Sequence, residues 1–425
     1  MSKERTRRVR ARRTRRGIAG AVAAIALVGG GFVAANASTD VPAGKSAAGV
    51  KRPVDKHAIG TKAVVSAANA FLNTLDAEQQ AEVLLDFSEA NATAWSNLPC
   101  GSTCRPGIQL GSLTDTQLAA AMKVLKAAMG TGKGTGYDQI EQILKADDVL
   151  NSEQGSGSGG PAPSPTDGAS STPSADPTVS ADPSSSATGV PTGTPPSGGP
   201  GGGGGMGGSG SGVYFMAFLG TPSADGTWQL HFGGHHLAAN LTYKKGKVAG
   251  ASPYFVGVEP TTWTADDGTT YTPLKAQRNG LLALTGSLST AQLAKAKLSA
   301  SYSDVLVGPG EDGQFPETKE GIPVSSLSAK QKQLVLKAIH PWVANVDDAT
   351  AKQLMKTYER ELNQTYVSYS GGTGLDAQGD YVRIDGPGVW IEFVCQSGLV
   401  YRDQIHYHTV YRDHTRDYGS EFKFS

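Results

Sequence analysis

The 425-residue chain lacks the signatures by which many sequences declare their chemistry. It has no H-E-x-x-H, no G-x-S-x-G elbow and no C-x-x-C-H haem site. The glycine run at 201–205 follows no strand and opens no helix, so it is not a phosphate loop. Cysteine is scarce, with three in all. Cys100 and Cys104 have no second pair and no nearby histidine to complete a metal site, which leaves a small disulfide ring in an oxidising compartment. So short a ring adds little loop-closure stabilisation and shapes its loop locally. Cys395, among Ile391, Phe393 and Val400, reads as a buried thiol. After residue 35 no apolar run is long enough to span a membrane. Net charge is also missing, with 38 basic and 38 acidic residues.

That balance hides an asymmetry. Nine basic residues crowd the first sixteen positions, and residues 17–35 carry no charge. Ala35-Asn36-Ala37 follows, so residues 1–37 read as a secretory signal cut near Ser38. Arg15-Arg16 admits twin-arginine export, although the residues after it match that signal poorly. An uncleaved segment would be the one membrane attachment, and Gly29-Gly30-Gly31 weakens it as a helix. No cysteine follows the apolar run to carry a lipid. Cleavage after Ala37 removes nine basic residues and one acidic residue, leaving a net charge of −8. An acidic mature chain offers no footprint for nucleic acid. The expected location is secreted or extracytoplasmic, associated with the cell envelope.

Residues 38–60 are polar and aperiodic, a tether. From 61 to 150 apolar residues recur at three and four, as in Val64, Ala68, Phe71, Leu72 and Leu75, which predicts helices. Residues 151–212 hold almost no sizeable apolar side chain amid Gly, Ser, Pro and Thr, the composition of a disordered linker. From 213 to 425 strand patterns alternate with helical ones, and the strands read as blocks with hairpin signals. The class is α+β, a helical part packed on a mostly antiparallel, strand-rich part. One motif occurs four times, at Asp76-x-x-Gln79, Thr114-x-x-Gln117, Ser289-x-x-Gln292 and Ser328-x-x-Gln331. Each is a capping box. Their uneven spacing reads as four helix starts, not as an internal repeat.

Four of the eight histidines form two clusters, His235-His236 after Gly234 and His406-Tyr407-His408. Residues two apart on a strand share a face, so His406 and His408 point the same way. Adjacent residues diverge, so one of His235 and His236 would join them, with Glu392 or Glu259 as further ligand or as base. Such a set suits zinc or a related divalent ion, and an open position would admit a water for hydrolysis. Two alternatives stand beside it. One is a metal-free pocket in which these groups, with Tyr407, Tyr411 and Trp390, hold an extracellular small molecule or polymer. The other is structural: Gly-His-His serves a tight turn, while Glu392–Arg412 or Arg383–Asp413 pairs tie strands together in an envelope protein.

Several motifs in order carry a family likeness: Gly234-His235-His236-Leu237, Pro253 to Pro260, Gly386-Pro387 leading to Ile391-Glu392, and His406-x-His408 through Asp413 to Asp417-Tyr418-Gly419, with Trp95-x-x-x-Pro99 upstream. Together they resemble the bacterial domain of unknown function 3500, from about Ala63 to the C-terminus outside the linker. The linker is an insertion relative to that pattern, and His414 stands where proline is expected. The resemblance implies one α+β module whose two parts pack together. It brings no catalytic assignment.

Overall fold

The computed structural model describes residues 51–156 and 210–424. The signal, the tether up to residue 50 and linker residues 157–209 lie outside them. Among the described residues the helices are α1 (Thr61–Leu72), α2 (Ala77–Val83), α3 (Glu89–Ala92), α4 (Asp115–Ala128), α5 (Gly136–Ser156), α6 (Lys275–Thr285), α7 (Thr290–Ala296), α8 (Ala329–Val343) and α9 (Asp348–Glu361). The strands are β1 (Leu84–Leu85), β2 (Ile108–Gln109), β3 (Phe215–Leu219), β4 (Thr227–Gly234), β5 (Leu237–Lys244), β6 (Lys247–Gly250), β7 (Tyr254–Val258), β8 (Trp263–Thr264), β9 (Thr270–Tyr271), β10 (Ile322–Pro323), β11 (Tyr366–Ser370), β12 (Tyr381–Asp385), β13 (Val389–Ser397) and β14 (Ile405–Asp413). The fold is α+β. Helix α5 continues to Ser156, six residues beyond the boundary read from composition.

All four capping boxes form, each with the side chain of the N-cap residue accepting from the amide of the glutamine three residues on. They do more than start helices. Gln117 Nε2 donates to Thr74 O at 3.0 Å and to Gln79 Oε1 at 2.7 Å. Gln331 Nε2 donates to Ser287 O at 2.8 Å and to Gln292 Oε1 at 2.9 Å. The boxes therefore interlock in two equivalent pairs. The likeness extends further. Ile108 pairs with Met216 and Ile322 with Val367, while Leu110 N bonds Tyr214 O at 2.7 Å and Val324 N bonds Thr365 O at 2.8 Å. Gly107 and Gly321 precede these short strands at φ 106° and 102°, and a Cβ on either would strike the partner strand's backbone.

The molecule is thus an internal duplication, which corrects the reading of four independent helix starts. Spacing concealed it because the segment between α5 and β3 stretches the first half alone. The sheet repeats the symmetry. Outward from the central antiparallel pair β7–β14, one side runs β5, β4, β3 and the other β13, β12, β11. Beyond these, β2 pairs β3 and β10 pairs β11.

Period-two alternation assigns the two faces. On β13, Val389, Ile391, Phe393 and Cys395 join the large apolar cluster that includes Phe71, Val124, Ile143, Val335 and Trp342 from the helices. Trp390 and Val394 face the other way, into a cluster with Phe255, Val410, Trp95, Leu298, Val305 and Val307. Helices cover one face of the sheet; irregular segments cover the other.

Candidate metal centre

His406 and His408 lie on β14 with Val410 and Arg412, on the face covered by irregular segments. Opposite His408 on β7 stands Gly257. A Cβ there would lie 2.6 Å from His236 Cδ2 and 2.9 Å from His408 Cδ2, so the missing side chain is what lets the two rings converge. His236 comes from a hairpin turn. Gly234 pairs with Leu237, so His235-His236 form the two-residue link between β4 and β5. A strand through this pair would have pointed the rings apart. In the turn they stack at 3.8 Å instead.

The three rings present one nitrogen each to a common point, all within 4.8 Å of one another. His236 Nε2 is 3.1 Å from His406 Nε2. Behind each ring stands a carboxylate. Asp147 Oδ1 is 2.6 Å from His236 Nδ1, Asp304 Oδ1 is 2.9 Å from His408 Nδ1, and Glu259 Oε2 is 3.8 Å from His406 Nδ1. Asp147 is itself held by the Tyr214 hydroxyl at 2.7 Å, and Glu259 by the amides of Val400 and Tyr401 through its other oxygen. The carboxylates bonded to the outer nitrogens of His236 and His408 fix those rings and leave their inner nitrogens as lone-pair donors.

Electrostatics favour that state. Burial, and then the neighbouring histidines, drive His406 well below the usual imidazole range. Burial lowers His408 despite Asp304, and takes His235 down to about 3. Burial alone would raise Asp147 and Asp304, but their paired imidazoles bring both below the ordinary carboxylate value. Neutral His406 and His408 and ionised Asp147 and Asp304 are protonation states that suit a divalent ion.

The spacing fits as well. Zn–N bonds of about 2.0–2.1 Å in a tetrahedron place neighbouring donors roughly 3.3 Å apart, close to the His236–His406 separation. Among the described residues, His406 Nδ1, Glu259 Oε2, His408 Nε2 and His235 Nδ1 are all buried without a hydrogen-bond partner. An ion at the common point would satisfy His408 Nε2, whereas the other three lie away from it, His406 Nδ1 against Glu259 Oε2 at 3.8 Å and His235 Nδ1 against Asp147 at 3.9 Å. His236, His406 and His408 could hold a metal ion. A second grouping, Asp147 with His235 and His236, is also close enough. Its 2.6 Å contact is a hydrogen bond too short for two donors sharing an ion, which makes Asp147 the support of the first group.

Other candidates take different roles. Glu392 is fully buried, and both oxygens are filled by Leu306 N, Val307 N, Tyr381 OH and Trp390 Nε1. It is a structural anchor with no lone pair left for a metal or a proton. Glu259 stands behind His406, not beside the common point. The proposed strand-tying pairs are replaced: Arg412 bonds Asp312 and Asp417, and Arg383 bonds Glu320. Tyr411 and Asp413 lie on the opposite face, where Tyr358 OH contacts both at 2.6 Å. Tyr407 shares that helix-covered side. Cys100 and Cys104 are disulfide-bonded, and burial raises the Cys395 thiol to about 12.

Sequence reasoning missed Asp147, Asp304 and Tyr214. Asp147 carried a signal, since it falls on the same helical stripe as Ile140, Ile143 and Leu144, where a lone carboxylate is out of place. Asp304 belongs to an irregular segment and carried none.

A family model described as protein of unknown function (DUF3500) matches residues 57–420. No curated protein and no solved structure gives a match.

Proposed function

The chain belongs to this family of proteins of unknown function (DUF3500), and from that premise we propose that it is an exported protein with a buried divalent-metal centre of zinc type. His236, His406 and His408 are the ligands, through Nε2. The observation that carries the reading is the threefold carboxylate–histidine arrangement, in which Asp147, Asp304 and Glu259 each face the outer nitrogen of a different ring. Chance packing of buried histidines does not call for a separate carboxylate behind each.

Export is supported by the basic, then apolar, then Ala-x-Ala order of the first 37 residues and by the Cys100–Cys104 disulfide. A hydrolytic role rests on the fourth position. Three imidazoles leave one site for water, as in catalytic zinc centres. Neither Glu259 nor Glu392 is free to serve there as base, so metal holding is the stronger part of the reading.

One preparation tests the proposal. Protein recovered from culture supernatant or cell envelope should begin near Ser38 and carry one equivalent of metal by elemental analysis. The His406→Ala/His408→Ala variant should carry none while keeping its circular dichroism spectrum. A metal-free wild type would sink the centre, and an intact Met1 would sink export.

A further inference from the structure

The two halves each send one irregular segment over the exposed-loop face of the sheet. Residues 84–107 run from α2 to β2, and residues 298–321 run from α7 to β10, equivalent stretches of the duplication. The first brings Trp95, the disulfide loop and Arg105; the second brings Tyr302, Asp304, Val305 and Val307. A span of more than ~15 residues without regular structure is uncommon in a compact fold unless it does something, and residues 298–321 are one. Much of this second segment is clamped. Glu392 takes two of its amides, Arg412 takes the carbonyls of Val307 and Gly308, and Lys319 reaches Asp385.

Its leading end is held too, by Gln396 Nε2 on Ser303 O at 2.8 Å, by Tyr302 stacked on Tyr381 and by Val305 and Val307 clustered with Trp95. There Asp304 divides its carboxylate, with Oδ1 on His408 and Oδ2 accepting from Asn97 Nδ2 at 3.3 Å. That contact joins the two covers outside the metal centre. It is one neutral-donor hydrogen bond, and the leucines on either side, Leu98 and Leu306, stay 62% and 39% exposed instead of packing across it. Asp304 is also the only one of the three supporting carboxylates that meets solvent. Its side chain is 40% exposed, against 0% for Asp147 and 1% for Glu259.

Resting on the metal reading above, we infer that the seam between the two covers is the route by which the ion enters and leaves, with the Asn97–Asp304 contact as its latch. Asp147, held within the fold, fixes His236 by a hydrogen bond, and Glu259, equally buried, faces His406 at 3.8 Å. The Asp304 side chain meets solvent while its backbone is held at Ser303, Leu306 and Val307, so that side chain is what turns, and His408 is the ligand that yields, when the latch opens. Arg105, which donates to the carbonyls of Ser96 and Leu98, holds the Asn97 side of the latch in place.

The test uses the mature full-length protein loaded with zinc, with exchange timed by a competing chromogenic chelator. Asn97→Ala removes the latch without touching a ligand. Binding and release should both accelerate, by roughly three- to tenfold, the rate equivalent of about one net hydrogen bond. The equilibrium affinity should stay within about twofold, because both rates share the barrier. Rates equal to wild type on a protein that holds its zinc would overturn the latch and leave the centre standing. Faster release with weakened affinity would overturn it too, since Asn97 would then be supporting His408. A wild type that takes up no zinc removes both the centre and its route.

Discussion

The two halves of the molecule build the same hairpin and finish it differently. In the first half the link between β4 and β5 is Gly234-His235-His236-Leu237; in the second, between β12 and β13, it is Gly386-Pro387-Gly388-Val389. The registers align, because Gly233 opposite Ala238 corresponds to Asp385 opposite Trp390. A carboxylate from the long helix meets each turn. Asp147 of α5 holds the His236 ring at 2.6 Å, whereas Glu361 of α9 accepts from the Gly388 amide at 3.0 Å. One scaffold contact thus serves as backbone capping in one copy and as ligand support in the other. Duplication supplied the frame, and the converging histidines come from both copies, His236 from the first and His406 and His408 from the second.

The comparison can be broken most severely at Gly257, where His236 of one half and His408 of the other meet over an absent side chain. Gly257→Ala would press a methyl within 2.6–2.9 Å of the His236 and His408 rings. Overpacking of this kind costs about 1–3 kcal/mol. The strain falls on two ligands at once, so the expected outcome is loss of stoichiometric metal, read by elemental analysis, with the fold retained. Full metal occupancy in this variant would mean that the rings do not converge there.

A paired substitution sharpens the contrast. Asp147→Asn should weaken metal affinity by about 10- to 100-fold, the usual effect of losing a supporting carboxylate. Glu361→Gln, its counterpart, should leave metal affinity unchanged and register only in thermal unfolding. Equal effects of the two on metal binding would erase the functional distinction between the halves.

The smallest effects should be the symmetric ones. Gln117→Ala and Gln331→Ala each break one interlock between capping boxes. Each should cost about 1–2 kcal/mol in denaturant unfolding, from lost hydrogen bonds at a partly buried site. The two costs should agree within about 0.5 kcal/mol, the scale on which independent sites add. A large disparity would show that the interlocks are alike in geometry but not in energy.

Local chemistry was legible in the sequence. The capping boxes and the shared face of His406 and His408 follow from interactions within a few residues. Relations between distant segments were not. The duplication was hidden because periodicity is lost when one copy carries a long insertion. The reversal at His235-His236 stands in the sequence only as the tight-turn alternative to a strand, since an apolar run on both sides cannot say where the chain turns. Glu392 looked like a ligand because a buried glutamate near histidines invites it; its four hydrogen-bond donors come from residues up to 86 positions away. Asp147 could have been found by asking why a carboxylate interrupts an apolar stripe.

The strand order has a consequence for how the protein matures. Two of the three converging histidines, His406 and His408, arrive on β14, the last strand among the described residues. The carboxylate that steadies the third ligand, Asp147, lies some 260 residues earlier, before the long insertion. A chain stopped anywhere short of β14 owns one ligand at most. An ion at His236, His406 and His408 would therefore require both copies to be made and docked, a seal of completion on the finished fold.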